Sequence, residues 1–115
     1  ATRRDYAAAA ATALTDDAHA DQVFELGGDH VFTMAEYAAV LSDASGRTVV
    51  YQDLPRDEYA ETLVGFGLPE KAAEMYADAD AGVARGDLFV ETGDLSRLIG
   101  GPTTSLSDAV AAALN

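Results

Sequence analysis

The two histidines, His19 and His30, each lie in a polar stretch beside acids: His19 between Asp17 and Asp21, His30 next to Asp29. Neutral imidazole is the commonest metal ligand and the usual general base, but a metal pair would need the two to converge from separate loops. Plain solvent exposure is the better reading. The serines have no histidine placed to activate them, so a hydrolase triad is not read either. The run Asp78-Ala79-Asp80-Ala81-Gly82 has the look of a calcium loop. With Gly82 at that loop's invariant glycine, however, ligand positions one, three and twelve would fall on Ala77, Ala79 and Leu88. Carboxylates two apart on a helix also diverge rather than converge.

Phosphate and hydride chemistry leave equally clear gaps. No G-x-G-x-x-G or related glycine-rich turn follows a strand-like run, so the chain holds no dinucleotide cradle of that kind. Gly82 and Gly86 sit where a helix ends, and Gly65 and Gly67 break one. Lys71 is the only lysine and is preceded four residues earlier by Gly67, which rules out a Tyr-x-x-x-Lys proton relay. The aromatic residues remain. Tyr6, Tyr37, Tyr59 and Tyr76 fall at core-facing helical positions, where packing explains them. Tyr51 and Phe89 fall near a strand end and in an irregular stretch, and suit the lining of a planar ligand.

The elements that would carry these residues are mostly helical. Thr2 with Asp5 makes a capping-box start, followed by a stripe of Tyr6, Ala7, Ala10, Ala13 and Leu14. The polar stretch from Thr15 to Gln22 reads as a surface loop, and Val23–Leu26 as a short strand ended by Gly27-Gly28. Thr33 with Glu36 opens a second helix with Met34, Tyr37, Ala38, Leu41 and Ala44 at helical spacing, stopped by Gly46. Thr48–Tyr51 reads as a second strand. Pro55 and Pro69 suit the first turns of two further helices. The first of these carries Tyr59, Leu63 and Phe66; the second carries Ala72, Tyr76, Ala79 and Val83 on one face. Asp87–Thr92 reads as irregular or a third short strand, and Asp94–Ile99 as one helical turn. Ser105 with Asp108 caps a last helix striped by Leu106, Ala109, Val110, Ala113 and Leu114.

The fold class expected is therefore α+β: about five helices with two or three short strands, too few for a complete sheet. Twenty acidic and seven basic residues give a net charge of −13, a field that repels phosphate backbones and anionic lipid, so neither nucleic acid nor membrane is expected as a partner. No cysteine means no disulfide frame and no thiolate metal site. No apolar run approaches the roughly 20 residues of a membrane span, and no signal-peptide pattern opens the chain, so the cytoplasm is the expected compartment.

The order of short motifs adds a resemblance. Thr2-Arg3-Arg4-Asp5-Tyr6-Ala7 is followed by Val23-Phe24-Glu25-Leu26-Gly27-Gly28, then by Phe32-Thr33-Met34-Ala35-Glu36. Gly46-Arg47-Thr48-Val49-Val50-Tyr51-Gln52-Asp53-Leu54-Pro55 comes next. Gly86-Asp87-Leu88-Phe89 and Leu98-Ile99-Gly100-Gly101-Pro102-Thr103-Thr104 complete the series. Across all 115 residues this resembles the C-terminal portion of NmrA-like atypical short-chain dehydrogenase/reductases, most of all those of the NAD(P)H:quinone oxidoreductase type. One departure is Gly100-Gly101-Pro102, where the family usually has Gly-Arg-Pro.

The resemblance implies a single substrate-side lobe over residues 1–115, part of a Rossmann-type protein whose nucleotide-binding half is absent from the chain. It implies NAD(P)H as cofactor of the parent protein, with none bound by the chain alone. It implies a quinone or similar planar acceptor, lined here by Tyr51, Tyr76, Asp80 and Phe89, with no catalytic residue in the chain itself. Some relatives sense nucleotide without turnover, so a nucleotide-sensing regulator or protein-interaction module is the alternative. Faces left uncovered in the isolated chain imply that it self-associates.

Overall fold

A computed structural model describes residues 1–114. Six α-helices account for most of them: α1 (Arg3–Thr15), α2 (Met34–Ser45), α3 (Arg56–Gly65), α4 (Glu70–Ala84), α5 (Asp94–Ile99) and α6 (Leu106–Leu114), with a 3₁₀ turn at Asp17–His19. The starts follow the capping chemistry. Thr2 and Asp5, and Thr33 and Glu36, form reciprocal capping boxes, and the Ser105 hydroxyl accepts from the Asp108 amide. Pro55 and Pro69 precede α3 and α4. The ends follow glycine. Gly67, Gly86 and Gly100 all take positive φ. In each case the next amide bonds back across six residues: Leu68 to the Leu63 carbonyl, Asp87 to Gly82 and Gly101 to Ser96. This is the Schellman closure, which needs a residue without a Cβ penalty in the left-handed region.

The expected strands are absent: none forms among the described residues, and Val23–Leu26, Thr48–Tyr51 and Asp87–Thr92 are not β structure. A strand exists only by pairing, and side chains, not a neighbouring strand, meet the central residues of the first two. At Glu25 the amide donates to Asp94 Oδ2 at 3.0 Å, and the carbonyl accepts from Thr92 Oγ1 at 2.6 Å. At Val49 the amide donates to Ser42 Oγ at 2.9 Å, and the same hydroxyl lies 3.1 Å from the Val49 carbonyl.

The chain divides into two compact units: Ala1–Tyr51 with the segment from Val90 onward, and Gln52–Phe89. In the first, α1 packs on α5 and α2 on α6; in the second, α3 packs on α4. The core of the first unit is Ala9, Leu95 and Leu98, with Phe24, Leu26 and Ile99 packed around it. Gly27 lies against Val90 so closely that a Cβ there would meet the Val90 carbonyl oxygen at 2.7 Å.

Two predicted stripes are rotated away from the buried face. On α1 the buried residues are Asp5 and Ala9, while Leu14 is 87% exposed. On α4 the buried residues are Ala73, Ala77 and Gly82, one register from the expected Ala72, Tyr76, Ala79 and Val83; Tyr76 and Val83 are exposed. In both helices alanines make close contact with the neighbouring helix, and the bulky side chains stand outside it.

Asp5 shows why α1 turns as it does. Its carboxylate takes the Thr2 amide at 2.6 Å and, across 99 residues, the Thr104 hydroxyl at 2.8 Å and amide at 3.3 Å. Asp29 binds the adjacent Thr103 in the same way, through its amide at 2.7 Å and hydroxyl at 3.1 Å. The Thr2 amide, followed by the Thr104 hydroxyl, brings the Asp5 pKa down to about 2 against the cost of burial. The Thr103 amide lowers that of Asp29, and the Glu25 amide followed by Arg97 lowers that of Asp94. A depressed carboxylate contributes stability above its ordinary value, 3.8 for Asp5, and loses it as pH falls toward the folded value. The melting temperature should therefore be level at neutral pH and fall below about pH 4. In Asp5→Asn the level should start lower and the decline should be shallower. Circular dichroism melts across that range test this, and a decline equally steep in Asp5→Asn would refute the assignment.

Candidate functional site

The second unit carries three of the four residues expected to line an acceptor. Tyr76 and Asp80 lie one turn apart on α4, which makes them neighbours on the helix surface. Tyr76 is 52% exposed, contrary to the core-facing position read from its spacing. Across the α3–α4 contact, burial first and then the nearby Asp80 carboxylate raise the Tyr59 pKa above the ordinary phenol value. Sequence reading took Tyr59 as packing alone. No local signal marks the pair, because 21 positions separate the partners and only the α3–α4 contact joins them.

Phe89, 55% exposed, follows the turn that closes α4. That turn is well fixed. The Gly86 amide donates to the Val83 carbonyl at 2.9 Å, the Phe89 amide to the Gly86 carbonyl at 2.9 Å, and the Arg85 guanidinium to Asp87 at 3.0 Å. Gly82 is buried beneath the turn, where a Cβ would meet Asp87 Oδ2 at 3.1 Å. Tyr51, 43% exposed, belongs to the other unit. The structure thus brings Tyr76 and Asp80 together and puts Phe89 on the same unit, while Tyr51 belongs to the other.

Two hollows lie elsewhere. One of about 540 Å³ runs between α3 and α4 past Arg56, Asp57, Glu61, Val64, Glu70 and Glu74. Its only cation is occupied, since Arg56 contacts Asp57 at 2.9 Å and Asp78 at 3.8 Å. The other, about 140 Å³, lies in the first unit beside His30, Phe32 and Thr103. Neither is lined by the four expected residues. Among the described residues no group of three or more His, Cys, Asp or Glu is placed to hold a metal, and no helix is long and apolar enough to cross a membrane. His19 stacks edge-on against Phe24 at 5.4 Å and approaches Asp16 at 3.8 Å, so it serves packing.

The helix starts are poor phosphate sites. At α1, α2 and α6 one first-turn amide is already met by the side chain of Thr2, Thr33 or Ser105. The other three helices open with acids in the first turn: Asp57 and Glu58 in α3, Glu70 in α4 and Asp94 in α5. An acid at that position repels an incoming phosphate.

Comparison with known proteins returned no matching family model. Quinone oxidoreductase 2 of Escherichia coli is 44% identical over all 115 residues, which span 40% of that protein. Its crystal structure in complex with NADPH superposes with a TM-score of 0.96, covering 100% of this chain and 41% of that one. The chain belongs to the NmrA-like reductases. It corresponds to their C-terminal part. The triphenylmethane reductase of Citrobacter sp., solved with NADP(H), shares this NmrA-like fold at a TM-score of 0.91 and 36% identity, covering 97% of this chain and 39% of that one. An NAD(P)H azoreductase of Xenophilus azovorans is 38% identical over 78 residues, 64% of this chain and 27% of that protein. The NmrA-like match thus spans well under half the length of these relatives.

Proposed function

We propose that these residues form the substrate-side lobe of an NAD(P)H-dependent quinone reductase, a single lobe over residues 1–115. In this reading Tyr76, Asp80, Phe89 and Tyr51 line the acceptor, and the nucleotide is held by residues outside these 115. The observation that supports it is the 44% identity to a quinone oxidoreductase across the whole chain.

Two assays test the reading. The product of the complete reading frame should bind NADPH and oxidise it with a quinone as acceptor, and the 115-residue chain alone should do neither. Turnover by the short chain would overturn the division of labour. Tight NADPH binding by the complete product with no quinone turnover would replace the reductase by a nucleotide sensor.

The lobe alone should also self-associate. Leu14 and Val23 are 87% and 90% exposed, and Val31 and Val50 stand nearly as far out. Each such side chain gains about 1.5–3 kcal/mol on full burial, so a surface that covers several of them is strongly favoured. Sedimentation velocity should show mass rising with concentration for the 115-residue chain. A monomer at every concentration would count against it.

A further inference from the structure

We propose that the Tyr76–Asp80 face of α4 selects planar aromatic acceptors by charge, favouring cationic over anionic ones; this deepens the quinone-reductase reading above and rests on it. The face combines an exposed aromatic ring with a carboxylate one helical turn away, and Val83 extends it by a further two turns from Tyr76. It is not needed to hold the helix, because Ala73 and Ala77 make the buried face. Its exposed carboxylate lies near Tyr59 of the packed neighbour α3, and an ionised carboxylate has lone pairs enough for a further partner. A quinone carbonyl brings no donor to that carboxylate. A positive charge on the acceptor meets both the carboxylate and the face of the Tyr76 ring.

The surrounding charge has the same sign. The unit Gln52–Phe89 carries nine acidic and three basic side chains. Two of those bases are already engaged, Arg56 with Asp57 and Asp78, and Arg85 with Asp87. The third, Lys71, lies nine residues before Asp80 on α4. That spacing puts it on the opposite side of the helix and roughly 13 Å away along the axis, beyond one Debye length at about 0.1 M salt. Nothing local to α4 therefore offsets the negative potential over the face.

The test uses the product of the complete reading frame with NADPH as donor. Three naphthoquinones of matched ring serve as acceptors: one neutral, one bearing a quaternary ammonium group and one sulfonated. At low ionic strength kcat/KM for the cationic acceptor should exceed that for the sulfonated one by about tenfold or more. The ratio should collapse toward one at about 1 M salt, where the Debye length is about 3 Å. Taking the ratio cancels any effect of salt on donor binding. Asp80→Asn should reduce the ratio by about threefold, the range of an exposed charge pair. Lys71→Ala, compared at about 0.1 M salt, should leave it unchanged. A ratio near one at low salt, with the neutral quinone turned over, overturns the inference and leaves the reductase reading intact. Full retention of the ratio in Asp80→Asn also overturns it. Failure to reduce any of the three acceptors removes the reductase reading, and this inference with it.

Discussion

Leu95→Ala is expected to lower the unfolding free energy by about 3 kcal/mol, within the range measured for buried leucines. Leu95 is the one large side chain that is completely buried among the described residues, and the rest of its cluster is thin: Ala9, Leu98 and the half-buried Phe24, Leu26 and Ile99. It sits on α5, a helix of six residues, too short to persist without packing. Removing the leucine takes from α5 its one fully buried large side chain in the cluster with Ala9 of α1. It also loosens Asp94, which ties α5 to the Glu25 amide. Against a total of roughly 5–15 kcal/mol for a domain of this size the loss is large. The same exchange at Leu14→Ala should cost less than about 0.5 kcal/mol, because that side chain is already in water. Urea titrations followed by circular dichroism compare the two directly. Equal effects would mean that the sequence stripe containing Leu14, and not the observed face containing Ala9, is the buried one.

That contrast marks what was legible in the sequence. Helix limits were, because they rest on local chemistry: Thr2 with Asp5, Thr33 with Glu36, Pro55, Pro69, Gly46, Gly86 and Gly100 all act through bonds within a few residues. Facing was not. Ala73 and Ala77 carry little hydrophobic weight, so a periodicity search prefers Tyr76 and Val83; yet small side chains are what let α3 and α4 approach closely. The strands were misread for a related reason. Val23–Leu26 and Thr48–Tyr51 have β-favouring residues, but pairing depends on a partner strand, and the described residues offer Asp94, Thr92 and Ser42 in its place. The family was legible from the order of short motifs. Of the residues proposed to line the acceptor, Tyr76, Asp80 and Phe89 share one unit and Tyr51 belongs to the other, which was not legible in the linear order. Nor was the approach of Tyr59 to Asp80 through the packing of α3 on α4.

In the reductase proposed above, Tyr76→Ala and Phe89→Ala should each raise KM for a neutral quinone by about three- to tenfold while kcat falls by less than twofold. A ring stacked on a ring contributes about 0.5–1.5 kcal/mol beyond simple burial, and each 1.4 kcal/mol is tenfold in affinity. Both side chains are more than half exposed, so truncation leaves no cavity and should change stability by no more than about 0.5 kcal/mol. This separation of effects is what makes the measurement decisive. A residue that merely packs would lower the melting temperature and leave KM alone, whereas a residue that meets the acceptor does the reverse. Phe89 has a further control in Gly86, whose φ of 86° holds the turn ahead of it. Gly86→Ala strains that backbone without touching the ring, by about 1 kcal/mol or more. If Phe89 works by being placed, Gly86→Ala should raise KM in the same direction. If KM stays unchanged in Tyr76→Ala and Phe89→Ala alike, the acceptor does not meet this unit, and the exposed rings serve the self-association expected of the lobe.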